Sequence, residues 1–91
     1  MKVTNGEFMQ DMLCELERAR SKFPENAMVF TALVEEIGEL AKALLEVRFE
    51  GKAHSGKLYA EAVQCAVMAM RVATEGDSDY PQYVPKVGRD G

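Results

Sequence analysis

Soft metal ligands, clustered cations and long apolar runs are all scarce or missing in this chain of 91 residues. One histidine, two cysteines and no C-x-x-C leave too few nitrogen and sulfur ligands for a zinc site within one chain. Cys14 and Cys65 sit in helix-like apolar patterns and not at paired loop positions. They read as two buried free thiols of a reducing compartment, the cytoplasm. No apolar run approaches the roughly 18 residues that span a bilayer, so no membrane partner is expected. The opening residues lack the basic and apolar stretches of a signal peptide. The 11 Lys and Arg are scattered, and the net charge is −4. Nucleic-acid binders carry a basic patch to displace counterions, so no nucleic-acid partner is expected. An anionic substrate would need a divalent cation to neutralise it.

What is present is material for one small helical domain. Hydrophobic residues make up 47% of the chain, too many for a disordered segment. The length allows one domain. A chain this short buries only about 60–65% of its unfolded surface, which makes an oligomer, a metal or both attractive as sources of stability.

Three segments show helical periodicity. The first runs from about Gly6 to Lys22, with Phe8, Met12, Leu16, Ala19 and Phe23 on one stripe, and Pro24 ends it. The second runs from about Asn26, a plausible N-cap, to Glu50, with Gly51 as the residue that closes it. The third runs from about Ser55, read as its N-cap, to Glu75, with Gly76 as the left-handed residue past its end. The short turn 51–56 makes helices two and three antiparallel neighbours, and His54 within it reads as exposed and idle. The fold expected is all-α: an antiparallel helical hairpin plus an N-terminal helix over residues 1–76. Residues 77–91 form an extended tail, packed on a neighbour through Tyr80 and Tyr83. Helix three is apolar on almost every side, which marks a helix buried all round. Three helices cannot enclose one of their own. Helix three is therefore expected to pack on another copy, giving an oligomeric four-helix-type bundle, dimer or tetramer. Its alanines and Gly38 of helix two would let the copies approach closely.

The informative feature is where the carboxylates fall. At about 100° per residue, Glu36 shares a face with Val29, Leu33, Leu40 and Ala43, and Glu39 lies at the edge of that stripe. Glu61 sits among Leu58, Cys65, Met68 and Val72, and Gln64 stands to Glu61 as Glu39 stands to Glu36. Ionised carboxylates are seldom buried unpaired. A lone buried Glu turns neutral, and several facing one another repel. A shared divalent cation resolves both, and oxygen-only ligands point to Mg²⁺ or Mn²⁺. The alternative is a salt-bridged core with Arg48 or Arg71 as the cation. Arg71, two turns beyond Gln64, is placed either to clamp a phosphate or to pair with Glu75 at i+4. Lys42 and Lys57 are weaker phosphate candidates. The phenylalanines read as core and not as stacking platforms for a base.

Glu35-Glu36-Ile37-Gly38-Glu39 resembles the E-E-x-x-E segment of the MazG-like, all-α nucleoside triphosphate pyrophosphatase superfamily. Glu61-Ala62-Val63-Gln64 stands where that family has E-x-x-D, so Gln64 replaces an acid with an amide that can ligate but brings no charge. The likeness covers roughly residues 30–74. It implies a helical, oligomeric, Mg²⁺-dependent enzyme that splits a (d)NTP into (d)NMP and pyrophosphate and clears non-standard nucleotides. Carried over residue by residue, it implies Glu36, Glu39, Glu61 and Gln64 as metal ligands. It implies Glu35 or Glu39 as the base that activates water, with Arg71 and Lys42 on the phosphates. Two other readings are a catalytically impaired helical module for oligomerisation or nucleotide binding, and a di-iron protein. The second lacks the Glu-x-x-His pairs such sites use.

Overall fold

The computed structural model describes residues 2–50 and 55–82. Three helices are present, α1 (Asn5–Lys22), α2 (Val29–Glu50) and α3 (Ser55–Glu75), with no strand among the described residues. Gly51, His54, Tyr83 and the rest of the tail lie outside them.

The start of α1 is set by a reciprocal cap. The Glu7 amide donates to Thr4 Oγ1 at 3.1 Å, and the Thr4 amide donates to Glu7 Oε1 at 2.9 Å. This capping box satisfies two of the amides a helix start leaves open. At the other end the Phe23 amide donates to Ala19 O at 2.8 Å, and Pro24 follows.

The N-terminus of α2 differs from expectation. Asn26 does not cap it, and the helix begins three residues later, at Val29. The Asn26 side chain donates to Glu75 O at 3.0 Å, and the Asn26 carbonyl accepts from the Ser78 amide at 3.0 Å. The cap comes from Asp77: the Phe30 amide donates to its Oδ2 at 2.6 Å, and the Asp79 amide to its Oδ1 at 2.8 Å. Asp77 is buried. A carboxylate at the positive end of a helix is stabilised by the open amides and the dipole there. Met28, just before α2, has φ 59°, a conformation that costs a non-glycine residue roughly 1–2 kcal/mol.

Gly76 takes φ 72°, and its amide donates to Val72 O at 3.1 Å, so α3 ends as its sequence indicates. The chain beyond is not extended here. The Tyr80 amide donates to Asp77 O at 2.9 Å, and the Tyr80 ring meets Phe30 edge-on at 5.6 Å. Tyr80 thus packs on this chain's own α2.

Helix α3 lies in the middle, against both α1 and α2. Tyr59 Oη donates to Asp11 Oδ2 at 2.5 Å near the start of α3, and Arg20 Nε to Glu75 Oε2 at 2.6 Å near its end. Hence α1 runs parallel to α3. Lys57 pairs with Glu46 at 3.6 Å, and Asp77 sits at the beginning of α2, so α2 runs antiparallel to α3 as expected. The α1–α3 seam holds the core of Met12, Leu16, Val63 and Val67, flanked by Phe8, Ala19, Tyr59 and Met70. Phe23, expected on that stripe, is 61% exposed.

Helix three is therefore covered by its own chain on two sides. The surplus apolar surface lies elsewhere. None of the large exposed hydrophobics belongs to α3, whereas Phe30, Val34, Ile37, Leu44 and Leu45 of α2 are each about half exposed. Their spacing continues the apolar sweep of α2 past its α3 contact, because rows of i, i+4 and i+7 share a face. A Cβ placed on Gly38 would meet open space, with no packed atom of the described residues within 4 Å. The cysteines also differ from the expected pair of buried thiols: Cys14 is exposed and Cys65 half-buried.

Candidate functional site

Because α1 and α2 stand on opposite flanks of α3, a cleft opens between them. Its volume is about 580 Å³. Helix α1 contributes Arg18 and Ala19, and the linker contributes Phe23, Glu25, Ala27 and Met28. Helix α2 contributes Thr31, Ala32, Glu35 and Glu36, and α3 contributes Glu61, Gln64, Met68 and Arg71.

The acidic part of this wall is a pair. Glu36 and Glu61 both line the cleft, close enough for the charge of one to act on the other. Burial is the main cause that pushes the Glu36 carboxyl above its ordinary value, followed by the nearness and charge of Glu61, then the charges of Glu39 and Glu35. Burial also pushes the Cys65 thiol up, aided by the negative field of Glu36 and Glu61. The pair therefore carries concentrated negative charge in a half-buried setting. A hard cation suits such a donor set. Neither arginine considered from the sequence supplies it: Arg71 is taken by Glu75, and Arg48 stands over the Phe49 ring at 5.4 Å.

The other expected site residues divide. Glu35 is exposed and lines the cleft. Glu39 and Lys42 are exposed on α2 outside the cleft lining. Accordingly, no group of three or more His, Cys, Asp or Glu side chains converges among the described residues. Gln64 lines the cleft, and its Nε2 donates to Glu15 Oε1 of α1 at 2.8 Å.

Of the two placements its spacing allowed, Arg71 makes the i+4 pair with Glu75. It is 2% exposed. Its Nη2 donates to Phe23 O at 2.7 Å, Glu25 O at 3.2 Å and Glu75 Oε1 at 2.9 Å, and its Nε also reaches Glu75. These bonds tie the α1–α2 linker to α3 and thereby set the floor of the cleft. Arg71 and Arg20 hold the Glu75 carboxyl below its usual range despite partial burial, which acts the other way.

Arg18 was not singled out from sequence. It lines the cleft with a side chain 60% exposed and is paired with Glu15. The signal was there in outline. Glu15 and Arg18 are an i, i+3 pair, set just beside the Met12–Leu16 stripe that faces α3. Glu15 is held below its usual range, first by Arg18 and then by Gln64.

No protein-family model, curated protein or solved structure matches this chain.

Proposed function

We propose that this chain is a Mg²⁺-dependent nucleoside triphosphate pyrophosphohydrolase that converts a (d)NTP and water to a (d)NMP and pyrophosphate. The observation that carries the reading is the meeting of Glu36 and Glu61, from two antiparallel helices, in the wall of a cleft large enough for a small ligand. The resemblance of the Glu35–Glu39 and Glu61–Gln64 segments to the MazG-like superfamily supports the same reading. Glu36 and Glu61 would hold the ion, with Mn²⁺ as the alternative to Mg²⁺. When bound, the ion neutralises the carboxylates and stabilises charge that develops on phosphate oxygens. Glu35, exposed on the cleft wall, accepts the proton of the water that attacks the α-phosphorus. The bond from that phosphorus to the bridging oxygen breaks, and pyrophosphate leaves. The clearing of non-standard nucleotides, in the cytoplasm, is the role that accompanies this chemistry.

The same reading makes the working form a homo-oligomer. The apolar face of α2 from Phe30 to Leu45, the open space at Gly38 and the alanines of α3 would meet a second copy. Obligate interfaces are apolar and large, and this face is the largest uncovered apolar feature of α2.

One observation favours a second reading, a catalytically impaired helical module. Among the described residues no third acidic group joins Glu36 and Glu61 in a metal-binding cluster: Glu39 lies outside the cleft lining, and the Gln64 amide is engaged by Glu15. A screen of pyrophosphate release over natural and modified nucleotides, with and without Mg²⁺, separates the two. Release that needs Mg²⁺ upholds the hydrolase. No release from the parent, with release gained by Gln64→Asp, establishes the module.

A further inference from the structure

We propose that Arg18 is the residue that binds the polyphosphate of the ligand, in the cleft that Glu36 and Glu61 also line. This rests on the reading of the cleft as a nucleotide site. Of the two arginines that line the cleft, Arg71 is 2% exposed and committed to Glu75 and two linker carbonyls. Arg18 is 60% exposed on its side chain, and Lys42 lies outside the lining. The cation able to meet an anionic ligand in this cleft is therefore on α1, the helix the metal-ligand pattern does not include.

The local geometry prepares it for that role. Arg18 Nε donates to Glu15 Oε1 at 2.9 Å and to Oε2 at 3.1 Å, and Nη2 also bonds Oε1. Glu15 is itself held by Gln64 Nε2 at 2.8 Å. The chain Gln64–Glu15–Arg18 holds the guanidinium by its Nε and Nη2, which leaves its outer Nη1–Nη2 edge for two oxygens of one phosphate group. It also gives the amide at position 64 a use of its own. An amide donates to Glu15, whereas an ionised aspartate there would repel it. Glu15 balances Arg18 while the cleft is free, and the 60% exposure of the Arg18 side chain leaves its outer edge open to a polyphosphate.

Inorganic tripolyphosphate in Mg²⁺ tests this without a choice of base. Titration calorimetry of the full chain is compared for the parent, Arg18→Ala, Arg18→Lys and Lys22→Ala, each verified as folded by circular dichroism. Arg18→Ala is expected to bind at least about tenfold more weakly, as for loss of a charge-assisted bond. Arg18→Lys should recover part of the loss, and Lys22→Ala should match the parent. Equal affinity of Arg18→Ala and the parent overturns the assignment of Arg18 and leaves the Glu36–Glu61 site standing. An equal loss in Lys22→Ala overturns it too, because bulk charge would then explain the binding. A parent that binds no tripolyphosphate also overturns it, and the Mg²⁺ dependence of pyrophosphate release then decides the larger reading separately.

Discussion

Glu36 on α2 and Glu61 on α3 meet in the wall of one cleft, close enough for the Glu61 charge to help push the half-buried Glu36 carboxyl above its ordinary value. Such a pair is costly when both groups are ionised, since burial and mutual repulsion act together. Its pH behaviour follows. A carboxyl whose pKa is raised on folding stabilises the fold below its unfolded value, about 4.5 here, and that stability is lost as pH rises through the folded pKa. Glu7, Glu15 and Glu75, held below their ordinary values, act in the opposite sense and lose their stabilisation as pH falls. Subtraction of the Glu36→Gln denaturation curve from the parent's isolates the first effect. The parent should lose stability relative to Glu36→Gln as pH rises above 4.5 toward neutrality. A difference that does not vary with pH would remove the raised Glu36 carboxyl from the account.

Mg²⁺ should reverse that neutral-pH deficit. A ligand that binds only the folded state raises its stability by RT ln(1 + [L]/Kd), about 2.7 kcal/mol at a hundredfold excess over Kd. The parent's melting temperature should therefore climb with Mg²⁺, and that of Glu36→Gln should stay flat. An equal rise in both proteins would place the ion elsewhere.

Arg71 predicts a stability effect more than a catalytic one. Its loss would leave the linker carbonyls of Phe23 and Glu25 without this donor and the Glu75 carboxylate with Arg20 alone. Removal of one partner from a buried ion pair costs roughly 3–5 kcal/mol, and the lower end applies because Glu75 is partly exposed. Urea unfolding of Arg71→Ala should show a loss of about 3 kcal/mol. A loss below about 1 kcal/mol would mean that the linker holds without it.

Asp77→Ala removes the cap of α2 from a residue far along the chain. Loss of an N-cap costs about 0.5–2 kcal/mol, and the burial of Asp77 favours the upper part of that range. Hydrogen exchange should also accelerate at the first turn of α2. Unchanged exchange at Phe30 would contradict the role of Asp77.

These positions show what local patterns carry and what they do not. The three helices, the left-handed Gly76 and the antiparallel α2–α3 pair were legible because periodicity and glycine act over short range. So was the convergence of Glu36 and Glu61, since both lie within apolar stripes. Asn26 misled because a capping residue is recognised by type, while the cap in fact arrives from Asp77 through tertiary contact. The Thr4–Glu7 box was present in the sequence and went unused. The central place of α3 was only half legible. An apolar surface on every side says that a helix is covered, not whether its own chain or another does so. Glu39 and Lys42 failed to reach the cleft for a related reason. Face angles give direction around one helix but not the distance to the next.

The apolar face of α2 gives its own test. Ile37→Glu and Leu44→Lys place charge on half-exposed positions and should cost little in a monomer. Sedimentation should show an oligomeric parent and dissociated variants. A monomeric parent at tens of micromolar would set aside the proposed assembly.

The most direct measurement is pyrophosphate release by the parent and by Glu61→Gln across a range of Mg²⁺ concentrations, with both proteins verified as folded. The account predicts release that requires Mg²⁺ in the parent and none from Glu61→Gln. Release at the parent's rate from Glu61→Gln would contradict it.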